Sequence, residues 1–289
     1  MIKFHWSNSK LRWKDSVTVS LALLATLQTI AEVSGFLDLD CINSIPWLWK
    51  LAIIFAIFIF LTVCTFISKH LLVYKGLKLS IGDNEVKIKQ ADIFEQDGWR
   101  LIPFNEMFDT VVDDIIIAHH SLNGYFIDTY VKDDLKKLEQ CIETASDVKG
   151  LNPTSKQGRK KFPLGRIIPY NNEYLLLAFT HFDDNNNAFL SHADFEKCLI
   201  TMWKEINRVY ANRPVYIPLL GSGITRFTDT PHKDNLSLAK CLLCTLKMSG
   251  VHIKQPITIC LMPEVMNSMN IYDCLLYTSP SPRDMRRSR

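Results

Sequence analysis

The apolar residues of this chain follow two different patterns. From Leu51 to Ile67 the run Leu-Ala-Ile-Ile-Phe-Ala-Ile-Phe-Ile-Phe-Leu-Thr-Val-Cys-Thr-Phe-Ile carries no charge, and Trp47, Leu48 and Trp49 precede it. Together these make about 20 residues, which at about 1.5 Å each cover a hydrocarbon core of about 30 Å. The run has no polar face, so it predicts a membrane-crossing helix and not the half-buried helix of a soluble core. Its tryptophans stand where an interfacial aromatic belt belongs. An earlier segment, Val17 to Phe36, is apolar but carries Gln28 and Glu32. Thr18, Ala22, Ala25, Thr29 and Glu32 fall on one helical stripe, and small or hydroxyl side chains on a stripe let helices approach in lipid. This predicts packing of the stripe on the second helix or on another subunit. Lys3, Lys10, Arg12 and Lys14 lie before the first span, and Lys69, Lys75 and Lys78 after the second, with Asp38 and Asp40 between them. By the positive-inside rule both ends face the cytoplasm.

Beyond Gly76 the spacing changes to alternating strands and helices. Leu77–Ile81 and Glu85–Lys89 alternate as short strands around Gly82-Asp83-Asn84, Trp99–Phe104 reads as a buried strand, and Ile115–Ala118 is a short apolar run. Tyr125–Cys141 has helical spacing, and Lys149–Lys161 is a basic, solvated insertion. Arg166–Pro169 and Tyr174–Thr180 pair across Asn171-Asn172. A helix from Ser191 to Tyr210, capped by Ser191 or Asp194, leads to a strand at Pro214–Leu219. A helix at Asn235–Met248 and a strand at Pro256–Met262 follow. Strands alternating with helices predict an α/β sandwich.

Charge and cysteines change this picture little. The net charge is +3, and the four arginines and one aspartate after Cys274 account for all of it. The string Cys274-Leu-Leu-Tyr-Thr-Ser-Pro-Ser-Pro-Arg-Asp-Met-Arg-Arg-Ser-Arg289 reads as a translated sequencing adapter and is set aside from fold reasoning. Without it the charge balance supplies no argument for a nucleic-acid partner. Cys241 and Cys244 have Cys-x-x-Cys spacing, but inside a helical pattern and with no second pair nearby, which predicts buried thiols and no metal.

Candidate chemistry concentrates where the strand at Pro214–Leu219 ends. The apolar run stops at Leu220-Gly221-Ser222-Gly223-Ile224-Thr225-Arg226, a loop of little side-chain bulk. Glycines there admit backbone conformations that turn successive N–H groups inward as an anion nest, and open α/β sheets bind ligands at the carboxyl ends of their strands. Upstream, Lys89-Gln90-Ala91-Asp92-Ile93-Phe94 puts a carboxylate just past an early strand. Leu101-Ile102-Pro103-Phe104-Asn105-Glu106 ends a strand in an asparagine. Taken singly, Asp92 reads as a turn aspartate and Asn105 as a helix cap.

Together the three pieces resemble the macro domain, an ADP-ribose-binding fold, over roughly residues 77–273. The resemblance implies a three-layer α/β/α sandwich with a mixed sheet. It implies that Asp92, with Ile93 beside it, accepts from the adenine amino group and that Asn105 orients the distal ribose. Ser121-Leu122-Asn123-Gly124 stands where the first phosphate loop belongs, and Leu220 to Arg226 form the second. The first loop has one glycine where the family has several, and Ala91 replaces the usual glycine before the aspartate.

Two spans joined to a divergent macro domain resemble the membrane-anchored macro-domain effectors of Thoeris anti-phage defence. The organisation expected is a basic N-terminus at 1–15, a transmembrane hairpin at 16–70 with spans at 17–36 and 48–68, a macro-like domain at 71–273, and the adapter tail at 274–289. That resemblance implies a partner TIR-domain enzyme that consumes NAD and makes an ADP-ribose-derived signal, such as a histidine conjugate of ADP-ribose. It further implies a homo-oligomer in the inner membrane, membrane damage on signal binding, no cofactor and no catalytic residue. The alternatives are a membrane-tethered ADP-ribosyl hydrolase, for which His119 and His120 are the candidates, and an ADP-ribose-binding or ligand-free scaffold. No carboxylate or thiol in the sequence is evidently poised beside those histidines.

Overall fold

A computed structural model of the 289-residue chain describes residues 6–34, 44–145, 160–183, 187–229, 234–271 and 273–274. The chain divides into two compact units, Met1–Gly76 and Leu77–Arg289. The basic insertion at 149–161 lies outside the described residues except for its last two positions. Of the segment read as adapter only Cys274 is described, and it is buried.

The first unit is a pair of packed helices, α1 (Trp6–Val33) and α2 (Trp47–Lys75). Its seam is built of hydroxyls. Ser16, Ser20 and Thr62 are buried, Ser20 Oγ lies 3.4 Å from Thr65 Oγ1, and the Trp13 ring meets Phe66 edge-on at 5.9 Å. Two of these hydroxyls are also satisfied within their own helices: Ser20 Oγ donates to the Ser16 carbonyl at 2.7 Å and Thr62 Oγ1 to that of Phe58 at 2.8 Å. Small side chains that satisfy themselves let two backbones approach without stranding a polar group.

Of the two partners expected for the small-polar stripe, the second helix and another subunit, the second helix does not meet it. Thr18, Ala22, Ala25, Thr29 and Glu32 are all exposed, and Gln28 Nε2 donates to Glu32 Oε1 at 3.1 Å on that outer face. Ser16 and Ser20 take the seam instead, because they lie on the opposite side of α1. The rest of the hairpin surface is apolar, with Phe55 63%, Phe60 66% and Trp47 67% exposed. Ser16–Val33 and Trp47–Ser68 are each long and apolar enough to cross a membrane, and almost none of either is buried.

The second unit is a nine-stranded mixed sheet in the order β1-β2-β9-β7-β3-β5-β6-β8, with β4 pairing on β5. Its strands are β1 (Leu77–Ile81), β2 (Asn84–Gln90), β3 (Trp99–Asn105), β4 (Ile167–Tyr170), β5 (Tyr174–Phe182), β6 (Ala188–Leu190), β7 (Val215–Pro218), β8 (Arg226–Phe227) and β9 (Ile257–Leu261). The central five, β2, β9, β7, β3 and β5, are mutually parallel, so their carboxyl ends share one edge. Buried on both faces, β9 and most of β5 read as continuous apolar runs, as central parallel strands do.

Helices cover both faces. On one, Phe126, Ile127, Val131 and Leu138 pack on Ile102, Phe104, Leu176 and Ala178. The single helix expected over Tyr125–Cys141 is instead broken into α3 (Leu122–Phe126), a π turn (Ile127–Val131), a 3-10 turn (Lys132–Asp134) and α4 (Leu135–Ala145). A π turn adds a residue to the helical repeat and re-phases the buried face, which brings Ile127 and Val131 inward together with Leu138.

On the other face lie α5 (His192–Val209) and α6 (Asn235–Ser249), joined where Trp203 Nε1 donates to Thr245 Oγ1 at 3.2 Å. Ser191 caps α5, accepting from the Asp194 amide, and Asp234 caps α6, accepting from Leu236 and Ser237. Such caps each contribute about 1 kcal/mol. A short α7 (Pro263–Ser268) follows β9. Cys241 is partly buried inside α6, and burial pushes its thiol up to about 11, so it behaves as an inert thiol.

Candidate functional site

The parallel strands deliver the candidate residues to one edge. Gln90 is level with Leu261, and Pro218 with Cys260, so the residues following β2 and β7 emerge side by side around β9. β3 runs alongside β7 and ends at Asn105, level with Thr180 of β5. Asp92, Asn105 and the glycine loop therefore stand along the same carboxyl edge. Ser121 to Gly124 follow from the loop after β3, and α3 packs on that strand. A shallow, open groove of about 480 Å³ between α4 and β4, lined by Lys137, Cys141, Thr144 and Ile168, lies elsewhere. Chemistry points to the strand ends, where functional side chains converge, and not to that shallow apolar trough.

Asp92 is exposed, and its Oδ1 accepts the Phe94 amide at 2.9 Å in an Asx turn. Its Oδ2 makes no hydrogen bond among the described residues, so one carboxylate oxygen is held in place by the other. Ile93 is buried and belongs to the core. Asn105 is also buried, and its amide is heavily used. Oδ1 accepts from Met107 at 3.0 Å and Asp109 at 3.2 Å, while Nδ2 donates to Asp109 Oδ2 at 2.7 Å. The local turn thus leaves Asn105 a single N–H for anything else.

In the first loop, Ser121 is the N-cap of α3: Oγ accepts the Gly124 amide at 2.9 Å and donates to the Ala118 carbonyl at 2.7 Å. Gly124 is there for packing, since a Cβ would lie 2.2 Å from the Ala118 oxygen. Leu122 is partly buried, and the Asn123 Oδ1 is buried with no hydrogen-bond partner among the described residues. An orphan acceptor of this kind costs on the order of 1–3 kcal/mol unless a ligand or water supplies the missing proton donor. His119 corrects the sequence reading, because a carboxylate does stand beside it: Nδ1 meets Asp128 Oδ2 at 2.6 Å. That hydrogen bond raises the imidazole above its ordinary value, with Asp114 and Asp113 adding to it.

The second loop is divided. Gly221 has φ +84°, and a Cβ there would press within 3.3 Å of both Leu238 Cδ2 and Phe227 Cζ. Gly223 faces open space and does not have the left-handed backbone that the anion-nest reading gave to both glycines. Leu220 is buried, Ile224 exposed, and Ser222 Oγ donates to the Leu219 carbonyl at 2.7 Å. The far half is not loop at all. Arg226 and Phe227 form β8, paired with Phe189 and Leu190 of β6, which in turn pairs with β5. Thr225 is buried, whereas Arg226 is exposed and makes no ion pair among the described residues.

A polar cluster absent from the sequence reading closes the β3–β5 end of the edge. Glu106, buried directly after Asn105, accepts from Lys161 Nζ and His181 Nδ1, each at 2.8 Å. Burial pushes its carboxyl up, but the hydrogen bonds from His181 and Lys161 outweigh that and hold it below the ordinary carboxylate range. The same bond to Glu106 raises His181. The only sequence signal was a glutamate immediately after the strand-ending asparagine.

A mixed α/β sheet sandwiched by helices, with an aspartate turn, a strand-ending asparagine and a glycine loop on its parallel carboxyl edge, defines a macro-type domain. The family model described as Thoeris protein ThsA, Macro domain, matches residues 86–262. Thoeris protein ThsA of Bacillus amyloliquefaciens is 34% identical over 280 residues, covering 93% of this chain and 92% of the relative. The chain belongs to the ThsA family of Thoeris proteins. Solved structures of the Oceanobacillus iheyensis macrodomain match at lower similarity. One point variant gives a TM-score of 0.44 at 11% identity, covering 74% of this chain and 97% of that one. Another, with ADPR, gives 0.42 at 12%, covering 74% and 98%.

Proposed function

We propose that this chain is the membrane-bound effector of a Thoeris system, whose macro domain binds an ADP-ribose-derived signal such as a histidine conjugate of ADP-ribose. The observation that carries this is the gathering of Asp92, Asn105 and both loops on one strand edge of a ThsA-family macro domain. In this reading Asp92 Oδ2 accepts from the adenine amino group, and Asn105 offers its remaining N–H to the distal ribose. The loops at Ser121–Gly124 and Leu220–Arg226 flank the diphosphate, with Arg226 supplying a cation and Asn123 Oδ1 accepting from a ribose hydroxyl.

A TIR-domain enzyme consuming NAD makes the signal. Binding then shifts the chain toward an assembled state by the difference in affinity for the two states. The hairpin holds the protein in the inner membrane with both ends cytoplasmic, and assembly of copies disrupts that membrane. No catalytic residue or cofactor is required. Full-length protein in nanodiscs should bind ADP-ribose or its histidine conjugate in calorimetry. Absence of heat at millimolar ligand would remove the reading.

The membrane half has its own test. Ile57→Lys places a charge near the middle of α2, at a cost of about 3 kcal/mol on insertion scales. The variant should shift from the carbonate-resistant membrane fraction to the extract, and unchanged retention would contradict a spanning α2. A hydrolase reading is kept alive by one observation, the His119–Asp128 pair beside the first loop. Release of ADP-ribose from modified protein, stopped by both His119→Ala and Asn105→Ala, would replace the sensor by an enzyme.

A further inference from the structure

We infer that Glu106, His181 and Lys161 are positioning residues that hold the two ligand-facing halves of the strand edge together and tie ligand affinity to the protonation of His181. The inference rests on the reading that this edge binds the ADP-ribose signal. It starts from the connectivity around one buried carboxylate. Glu106 directly follows Asn105, and its amide donates to the Thr180 carbonyl at 2.8 Å. Its side chain takes His181 on β5 and Lys161 on the arm before β4. The arm is fastened a second time, because the Phe162 amide donates to the Glu106 carbonyl at 2.7 Å, and a third time where the Phe162 ring meets Phe108 edge-on at 5.0 Å.

The other direction leads to the second loop. His181 pairs in register with Phe189 of β6, its ring 5.6 Å from that phenyl, and Phe189 pairs in register with Arg226 of β8. His181, Phe189 and Arg226 therefore form one cross-strand row, and the glycine loop between β7 and β8 is anchored at its far end through that row. A two-residue strand such as β8 has little stability of its own, so its place depends on the strands beneath it. Glu106 thus lies at the junction of the asparagine turn and the route to Arg226.

The groups that face His181 are Glu106 just past β3, Asp194 on α5 and Lys161 on the arm. Two carboxylates against one lysine favour the imidazolium. A histidine raised in the folded state contributes a charged hydrogen bond that is complete below its unfolded value and is lost as pH rises through the folded one. Glu106, lowered, contributes above the ordinary carboxylate value and loses its contribution only on acidification. The cluster is complete between the ordinary carboxylate value of Glu106 and the ordinary imidazole value of His181, and it opens on the alkaline side as the imidazole becomes neutral.

The test uses full-length protein in nanodiscs with two readouts. Hydrogen–deuterium exchange of residues 219–229, corrected for intrinsic rates, needs no ligand. In the wild type, protection should be lost as pH rises from 6.5 to 9, because the imidazolium that holds the Glu106 carboxylate becomes neutral over that range. His181→Gln, which keeps a donor but cannot titrate, should flatten the profile. Glu106→Gln should raise exchange at every pH, while Glu205→Gln, at a half-buried carboxylate bonded to Arg208 on α5, should leave the loop unchanged. ADP-ribose affinity should follow the same pH profile. Identical profiles for wild type and His181→Gln, or unchanged loop exchange in a folded Glu106→Gln, would overturn the inference. If the wild type bound no ADP-ribose at any pH, the ligand reading would fall, and with it the affinity arm, while exchange would still decide the anchoring.

Discussion

Gly221→Val is expected to abolish signal binding and phage protection while leaving the domain folded. Gly221 sits at φ +84°, where a side chain costs about 1–2 kcal/mol in backbone strain alone. A Cβ would also lie 3.3 Å from Leu238 on α6 and from the Phe227 ring, and a branched residue carries further atoms into that gap. The loop can relieve the crowding only by moving out over the strand ends, where the diphosphate is proposed to lie. Affinity for ADP-ribose should fall more than about 100-fold, equivalent to about 3 kcal/mol. Gly223→Ala is the matched control. Its Cβ points into open space, so stability should change by less than about 0.5 kcal/mol. Calorimetry on both variants, with circular dichroism to confirm folding, decides the matter. Wild-type affinity in Gly221→Val would refute this account of the loop.

Gly124→Ala should destabilise the macro domain and not simply weaken a ligand. The added methyl would stand 2.2 Å from the Ala118 carbonyl oxygen and 3.1 Å from His119 Cα, and both are backbone atoms with no rotamer to change. Either α3 lifts off the 118–119 segment or the Ser121 cap opens, and overpacking of this kind costs about 1–3 kcal/mol or more. For a domain of about 200 residues, each kcal/mol is worth about 2–4 °C, so the melting temperature of the second unit's transition should drop by about 2–12 °C. An unchanged melting temperature would mean that the segment before α3 yields freely, and that Gly124 is not needed for packing.

Those two glycines show how unequal the clues were. From sequence, Gly124 counted as a remnant of a phosphate loop and Gly223 as half of a nest, because a glycine announces freedom without saying what uses it. The structure gives Gly124 to helix packing and gives the left-handed conformation to Gly221 alone. β6 and β8 were invisible for a related reason: strands of three and two residues have no period to read. Asp92 and Asn105 appeared as plausible turn residues and also as site residues, and their hydrogen bonds fit both roles. Asp92 leaves one carboxylate oxygen, and Asn105 one N–H, outside those turns. The small-polar stripe of α1 does not face α2, because several faces of that helix carry small residues and only contact with α2 selects one; packing on another subunit, the other partner expected for it, is untouched by this.

The sequence alone determined two things about this protein, two helices long and apolar enough to cross a membrane and an α/β domain with a glycine loop after a central strand. Both follow from local rules, since membrane-length apolar runs and strand–helix alternation are written in neighbouring residues. Tertiary structure decided what those rules cannot reach: which hydroxyls form the hairpin seam, where Gly221 is indispensable, and that Glu106, His181 and Lys161 meet. Lys161 and His181 lie 55 and 75 positions from Glu106; the parallel register of β3 and β5 brings His181 to it, and the arm held by the Phe162 amide brings Lys161, each at 2.8 Å.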